Sequence, residues 1–106
     1  MAFKIELHPE AAEDFAALDG SIQKEIAKKI DALSDNPFLG KPLGNKMGRD
    51  LTGFFKLYAV RKKYRIVYRL FHGHLEIVEI IGIGKREKAA VYKLIFKRVL
   101  DLNPTK

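Results

Sequence analysis

The chain has 106 residues and no cysteine, which fits a single domain over 1–106. The lack of cysteine excludes a disulfide framework, a thiol nucleophile and a thiolate metal site. The formal net charge is +7, but residues 1–40 carry a net of −4 and residues 41–106 a net of +11. Such an asymmetry indicates a polyanionic partner for the second segment, and the alternative is a basic surface that only aids solubility.

The start of the chain does not resemble a secretory signal, because residues 1–7 lack a long apolar stretch and already carry Lys4 and Glu6. The longest apolar run is also far too short to span a membrane. We therefore expect a cytoplasmic protein with no membrane partner.

The first part of the chain predicts a strand and two helices. Residues 3–7 alternate apolar and polar side chains, which is typical of a half-buried strand. Pro9 suits the first turn of a helix, and Asp19-Gly20-Ser21 separates that helix from a second one. The second helix ends at Asn36-Pro37, because the residue before a proline disfavours helical backbone. Its apolar stripe comprises Ile22, Ile26, Ile30 and Leu33.

Residues 38–53 are predicted to form a basic loop beside the sheet. Glycine and proline interrupt this segment five times, and its cations include Lys46 and Arg49, which we expect to bind RNA. The alternative is an ordinary connection without a functional role.

Two β-rich runs, 54–60 and 64–70, predict a hairpin with a functional face. Alternation puts Lys56 and Tyr58 on the same side of the first run, and Arg65 on one side of the second. One surface then collects all three side chains. Cations neutralise phosphates and aromatic rings stack on bases, so such a face suits RNA.

A third β run at 75–81 and a helix at 87–100 complete the predicted elements. Consecutive β runs joined by short turns indicate an antiparallel sheet. The predicted fold class is therefore α+β, with a small antiparallel β-sheet, an N-terminal helical hairpin and a C-terminal helix.

The sequence contains no motif typical of a metal or cofactor site. His8, His72 and His74 do not have the spacing of metal ligands, and Gly82-Ile83-Gly84 is too short for a dinucleotide fingerprint. We expect no metal and no cofactor. Glu79, an acid inside an apolar strand, is expected to pair with a cation of the sheet, and a general-base role is the alternative.

The remaining candidate site is a set of cations and tyrosines. Cleavage of RNA by its own 2′-hydroxyl needs a proton acceptor, charge stabilisation and a donor for the leaving oxygen, and clustered cations can supply them. The alternative is phosphate binding without chemistry, and the residues alone leave both open. The set comprises Lys56, Arg65, Lys85 and Arg86, with Tyr58, Tyr64, Tyr68 and Tyr92.

Two motifs follow from the same region: Tyr64-Arg65-Ile66-Val67-Tyr68, and Gly84-Lys85-Arg86-Glu87 followed by Val91-Tyr92. Together with Asn36-Pro37 and Lys41-Pro42-Leu43, they resemble the RelE/ParE toxin superfamily of toxin–antitoxin modules. The first motif is shared by the superfamily, whereas the second is more specific to its RelE-like ribonucleases. The resemblance covers nearly the whole chain.

This resemblance implies a RelE-like ribonuclease fold and cleavage of messenger RNA in the ribosomal A site by 2′-hydroxyl attack. It implies that Lys56 is the general base, that Arg65 stabilises phosphate charge, and that Arg86 acts on the transition state and leaving group. Tyr92 corresponds to a tyrosine that stacks on an mRNA base. We also expect Tyr58 and Lys85 to contact RNA, although Tyr58 stands where the best-studied members have a second lysine.

The partners implied by the resemblance are a cognate antitoxin protein, mRNA and the ribosome. Two alternatives remain: a ParE-like inhibitor of DNA gyrase, and a catalytically decayed toxin homologue that only binds its antitoxin.

Overall fold

The computed structural model describes residues 3–46, 49–71 and 76–85 of the chain. These residues form one five-stranded sheet, in the strand order β1-β5-β4-β3-β2, and two helices. The α+β class is confirmed, whereas the predicted helix at 87–100 lies outside the described residues. In chain order the elements are β1 (Lys4–Leu7), α1 (Pro9–Ala16), α2 (Gly20–Asp35), β2 (Lys41–Lys46), β3 (Arg49–Ala59), β4 (Tyr64–Phe71) and β5 (Ile77–Lys85).

The sheet is mixed, so the predicted antiparallel sheet is correct for β2 to β5 and wrong for β1. Strands β2 to β5 pair antiparallel, but β1 lies parallel to β5, with Lys4 opposite Ile77 and Leu7 opposite Ile80. The chain leaves β1 through two helices rather than a tight turn, and such a long connection permits parallel pairing. The alternation in residues 3–7 predicts a strand without specifying its partner.

The prediction of a loop over 38–53 is also wrong for most of that segment. Residues Lys41–Lys46 form β2, which pairs with β3 from Arg49 to Lys56. The pairing is irregular between Pro42 and Gly44, and Gly44 and Gly53 adopt left-handed φ angles of 60° and 92°. An edge strand tolerates proline and a bulge, so the residues that indicated a loop belong to an irregular hairpin.

The core lies between the helices and one face of the sheet. Ile26, Ile30 and Leu33 of α2 are buried, as the apolar stripe predicts, and they cluster with Ile66 and Tyr68 of β4. We call the sheet face that carries Ile66, Tyr68 and Ile80 the helix-side face. Neither of the two described helices is long and apolar enough to cross a membrane.

The start of α1 is capped by a histidine rather than by a short polar side chain. The Nδ1 atom of His8 accepts a hydrogen bond from the backbone N–H of Glu10, at 3.1 Å. The backbone N–H of His8 donates to the carbonyl of Ile80 at 2.9 Å, so His8 also continues the contact between β1 and β5. This capping role gives His8 a structural function in the fold.

Strand β5 is longer than predicted and contains a β-bulge. Tyr68 pairs with Ile80 whereas Val67 pairs with Gly82, so Ile81 is the extra residue on β5. A bulge reverses the alternation of side chains beyond it. Glu79 therefore shares a face with Gly82 and Gly84, while Lys85, which pairs with Tyr64, lies on the helix-side face.

Candidate functional site

The sheet face opposite the helices carries three of the predicted site residues. Tyr58 pairs with Arg65, and Lys56 pairs with Val67, across β3 and β4. Directly opposite residues of an antiparallel pair project to the same face, so Lys56, Tyr58 and Arg65 lie together there, as the alternation predicts. We call this surface the cationic face, defined by Phe54, Lys56, Tyr58, Arg65, Val67 and Arg69.

Lys56 and Tyr58 make a direct contact on the cationic face. The Lys56 Nζ atom lies 5.2 Å from the centroid of the Tyr58 ring, within the range of a cation–π interaction. Both side chains are half-buried, whereas Arg65 is only 6% exposed. The cross-strand partners of Arg65 and Val67 on β5 are Gly84 and Gly82, which carry no side chains. The sheet thus places Arg65 opposite Tyr58, whose ring the Lys56 ammonium group contacts.

Arg69 occupies the other end of the cationic face, where its charge is neutralised. Its Nε atom donates a hydrogen bond to Glu79 Oε1 at 2.8 Å, and the two residues are cross-strand partners. The guanidinium carbon also lies 4.7 Å from the Phe71 ring centroid and 5.7 Å from that of Phe54. The prediction that Glu79 pairs with a cation of the sheet is confirmed, and the pair stabilises the sheet.

Three residues of the predicted set do not lie on the cationic face. Tyr64, Tyr68 and Lys85 are on the helix-side face, and Tyr68 is fully buried. Lys85 does not share a face with Lys56 and Arg65, because the bulge at Ile81 reverses the direction of the side chains that follow it. Lys85 instead contributes to a pocket of about 450 Å³ that is lined by Ile22, Val60, Lys63, Tyr64 and Lys85.

Tyr68 supports the cationic face from beneath, a role that the sequence does not reveal. Its hydroxyl donates to the carbonyl of Pro37 at 2.8 Å and accepts from the N–H of Gly40 at 2.9 Å. Its ring stacks on Phe55, with the centroids 5.4 Å apart. Burial raises the pKa of the Tyr68 hydroxyl, and the hydrogen bond from Gly40 lowers it to a smaller extent. The end of the second helix at Asn36-Pro37 was predicted from the sequence, but the contact of the following residues with Tyr68 was not.

The other predicted site residues lie at or beyond the ends of the described ranges. Lys46 pairs with Arg49 through the backbone, next to the connection between β2 and β3, while Arg86 and Tyr92 lie outside the described residues. His72 and His74 also lie outside them. Within the ranges that the structure describes, no three His, Cys, Asp or Glu side chains are grouped closely enough to hold a metal ion.

Comparisons with known proteins agree on one group of relatives. A family described as "ParE toxin of type II toxin-antitoxin system, parDE" matches residues 5–90. The mRNA interferase toxin RelE of Escherichia coli strain K12 is 26% identical over 100 residues, which are 94% of this chain and 100% of that protein.

Two solved structures extend the comparison to the fold. A mutant of the E. coli toxin RelE in the free state has a TM-score of 0.73 at 24% identity, and the match covers 94% of this chain and 100% of that chain. A chain of the toxin–antitoxin complex RelBE2 from Mycobacterium tuberculosis has a TM-score of 0.67 at 28% identity, and the match covers 83% of this chain and 95% of that chain.

Proposed function

Since the chain belongs to the ParE toxin family of type II toxin–antitoxin systems, within the RelE/ParE superfamily, we propose that it is an endoribonuclease toxin. Its substrate is messenger RNA in the ribosomal A site, and cleavage inhibits translation. The observation that carries this proposal is the position of Lys56 beside Tyr58 and Arg65 on one sheet face. The similarity to the mRNA interferase toxin RelE supports it.

In the proposed reaction, Lys56 is the general base that accepts the proton of a ribose 2′-hydroxyl. The 2′-oxygen attacks the adjacent phosphorus, and departure of the 5′-oxygen leaves a 2′,3′-cyclic phosphate. Arg65 stabilises the charge of the phosphate, because a guanidinium presents several N–H donors to its oxygens. Arg86 acts on the transition state and the leaving oxygen, and Tyr92 stacks on an mRNA base. No metal ion or cofactor takes part.

The charge distribution of the cationic face supports phosphate binding at one end of it. Glu79 is held by Arg69, so its carboxylate is neutralised rather than turned towards an incoming phosphate. Lys56 and Arg65 are displaced along the strands from that ion pair. Because Gly84 stands opposite Arg65, a substrate meets no β5 side chain at that point.

The test is primer extension on a defined message in a purified translation system. Wild type is expected to produce ribosome-dependent cuts inside codons, and Arg86→Ala is expected to abolish them, because it removes a guanidinium from the reacting phosphate. Lys24→Ala, which removes an exposed lysine of α2, serves as the matched control and is expected to cut like wild type. Intact messages after incubation with folded wild-type protein would contradict the proposal.

The second candidate function is inhibition of DNA gyrase, which the ParE family match favours. A gyrase inhibitor has no chemical need for the set Lys56, Arg65 and Arg86, so the ribonuclease remains the first choice. A supercoiling assay with purified gyrase separates the two functions. Loss of supercoiling together with intact mRNA would establish the second one in place of the first.

We further propose a cognate antitoxin as the protein partner of this chain. A chain of the toxin–antitoxin complex RelBE2 of M. tuberculosis has a similar fold, which supports this proposal. The net charge of +11 in residues 41–106 favours an acidic segment in that antitoxin, since complementary charge speeds and orients association.

A further inference from the structure

Lys41, to which the sequence analysis gave no role, lies directly opposite Lys56. The register of β2 and β3 pairs Lys41 with Lys56, so both side chains project from the cationic face. Side chains at such positions start about 5 Å apart at their Cβ atoms. The two ammonium groups therefore extend over the same part of the sheet surface, at the edge strand.

This arrangement of two lysines is unfavourable for the sheet alone, because like charges directly opposite each other repel. Among the described residues, no acidic side chain forms an ion pair with Lys41 or Lys56. Arg69, on the same face, shows the contrasting arrangement, with its carboxylate partner at 2.8 Å. The lysine pair thus concentrates positive charge that no ion pair within the described part of the chain neutralises.

The backbone that presents Lys41 is held in a fixed position. The preceding residue, Gly40, donates its N–H to the buried Tyr68 hydroxyl, which in turn donates to the Pro37 carbonyl. A Cβ atom on Gly40 would lie 2.6 Å from the Lys56 carbonyl oxygen, which shows how closely β2 approaches β3 here. Lys41 is thus placed against Lys56 by an ordered turn, which limits the entropy lost on binding.

We propose that Lys41 is a second phosphate-binding residue, which contacts the backbone of single-stranded RNA beside Lys56. This inference rests on the proposed ribonuclease function, since it extends the same face towards β2. In this proposal Lys56, which is half-buried, faces the reacting nucleotide. Lys41, which is exposed, binds a neighbouring phosphate.

The test measures binding separately from cleavage. A fluorescent single-stranded RNA with 2′-O-methyl riboses, which lacks the attacking hydroxyl, is titrated with wild type, Lys41→Ala, Lys41→Arg and Lys24→Ala across a range of salt concentrations. Loss of one phosphate contact reduces the slope of log K against log salt by about 0.7 and weakens binding roughly tenfold near 50 mM salt. We expect this change for Lys41→Ala only, with Lys41→Arg retaining the wild-type slope.

Equal slopes and affinities for Lys41→Ala and Lys24→Ala would overturn the inference, as would a wild-type protein that does not bind the RNA. A Lys41-dependent slope in a protein that fails to cut messages would instead uphold Lys41 as a phosphate ligand and reject the ribonuclease. The two proposals therefore fail on different readouts. Lys41 is exposed on an edge strand, so these substitutions leave the core intact.

Discussion

Tyr68 is the residue on which the geometry of the cationic face depends most directly. Its side chain is fully buried beneath β3 and joins the turn after α2 to the sheet through two hydrogen bonds. Both partners are backbone groups, Pro37 C=O and Gly40 N–H. A hydroxyl in this position therefore links the end of the helical layer to the strand pair that carries Lys41 and Lys56.

Replacing Tyr68 by phenylalanine is expected to lower the free energy of unfolding by about 1–3 kcal/mol, because the backbone groups of Pro37 and Gly40 lose their partner. Urea unfolding followed by circular dichroism measures the change. Tyr64→Phe is the matched control, since the Tyr64 hydroxyl makes no hydrogen bond among the described residues, and it is expected to change stability by less than about 0.5 kcal/mol. Equal effects of the two substitutions would contradict the role given to Tyr68.

Because the pKa of Tyr68 is raised, the difference in stability between wild type and Tyr68→Phe is expected to depend on pH. The folded protein holds the phenolic proton more tightly than the unfolded chain does, so Tyr68 contributes stability below the ordinary tyrosine pKa of 10.0. That contribution is lost as the pH rises above 10 towards the higher pKa of the folded state. The difference in stability between wild type and Tyr68→Phe is therefore expected to shrink in this range.

At the scale of elements, hydrophobic periodicity predicted α2 and the two faces of β3 and β4. The apolar stripe of α2 shows which side of the helix faces the core, and the alternation through Lys56, Tyr58 and Arg65 shows which side of the strands faces away from it. Strand β2 and the start of β3 were not predicted. Glycine and proline in this segment indicated a loop, but these residues also occur in irregular edge strands. The side of the sheet on which Lys85 lies could not be predicted, because one inserted residue, Ile81, reverses the alternation of β5 without a sequence signal.

The contact of α1 with the last part of β5 leads to a further prediction. Strand β1 ends opposite Ile80, and beyond it the N–H of Ile83 donates to Asp14 Oδ2 at 3.0 Å. Asp14→Ala is expected to cost about 1–3 kcal/mol, because it leaves a partly buried N–H without its acceptor, whereas Asp14→Asn retains an acceptor and costs less. Amide hydrogen exchange at Ile83 is expected to become faster in Asp14→Ala.

Glu13→Ala is the control for this experiment, because Glu13 is the exposed neighbour of Asp14 on α1. Unchanged exchange at Ile83 in Asp14→Ala would show that the helix does not hold the end of β5. This contact bears on the site, since Gly84, opposite Arg65, directly follows Ile83.

At the scale of the molecule, positive charge and catalytic candidates are concentrated in the same part of the chain. The acidic first 40 residues contain both described helices, while the basic remainder contains β2 to β5. The sheet therefore has one face closed by the helices and another that carries Lys41, Lys56 and Arg65. We expect such a division to attract the proposed RNA substrate to the cationic face by its field before any specific contact forms.

The most direct test of the central claim is cleavage of a ribosome-bound message that carries one 2′-deoxynucleotide at a mapped cut position. The proposed reaction uses the 2′-oxygen as the nucleophile, so cutting is expected to disappear at that position and to persist at other codons. Continued cutting at the deoxynucleotide would contradict 2′-hydroxyl attack, and with it the role of Lys56 as the base that starts the reaction.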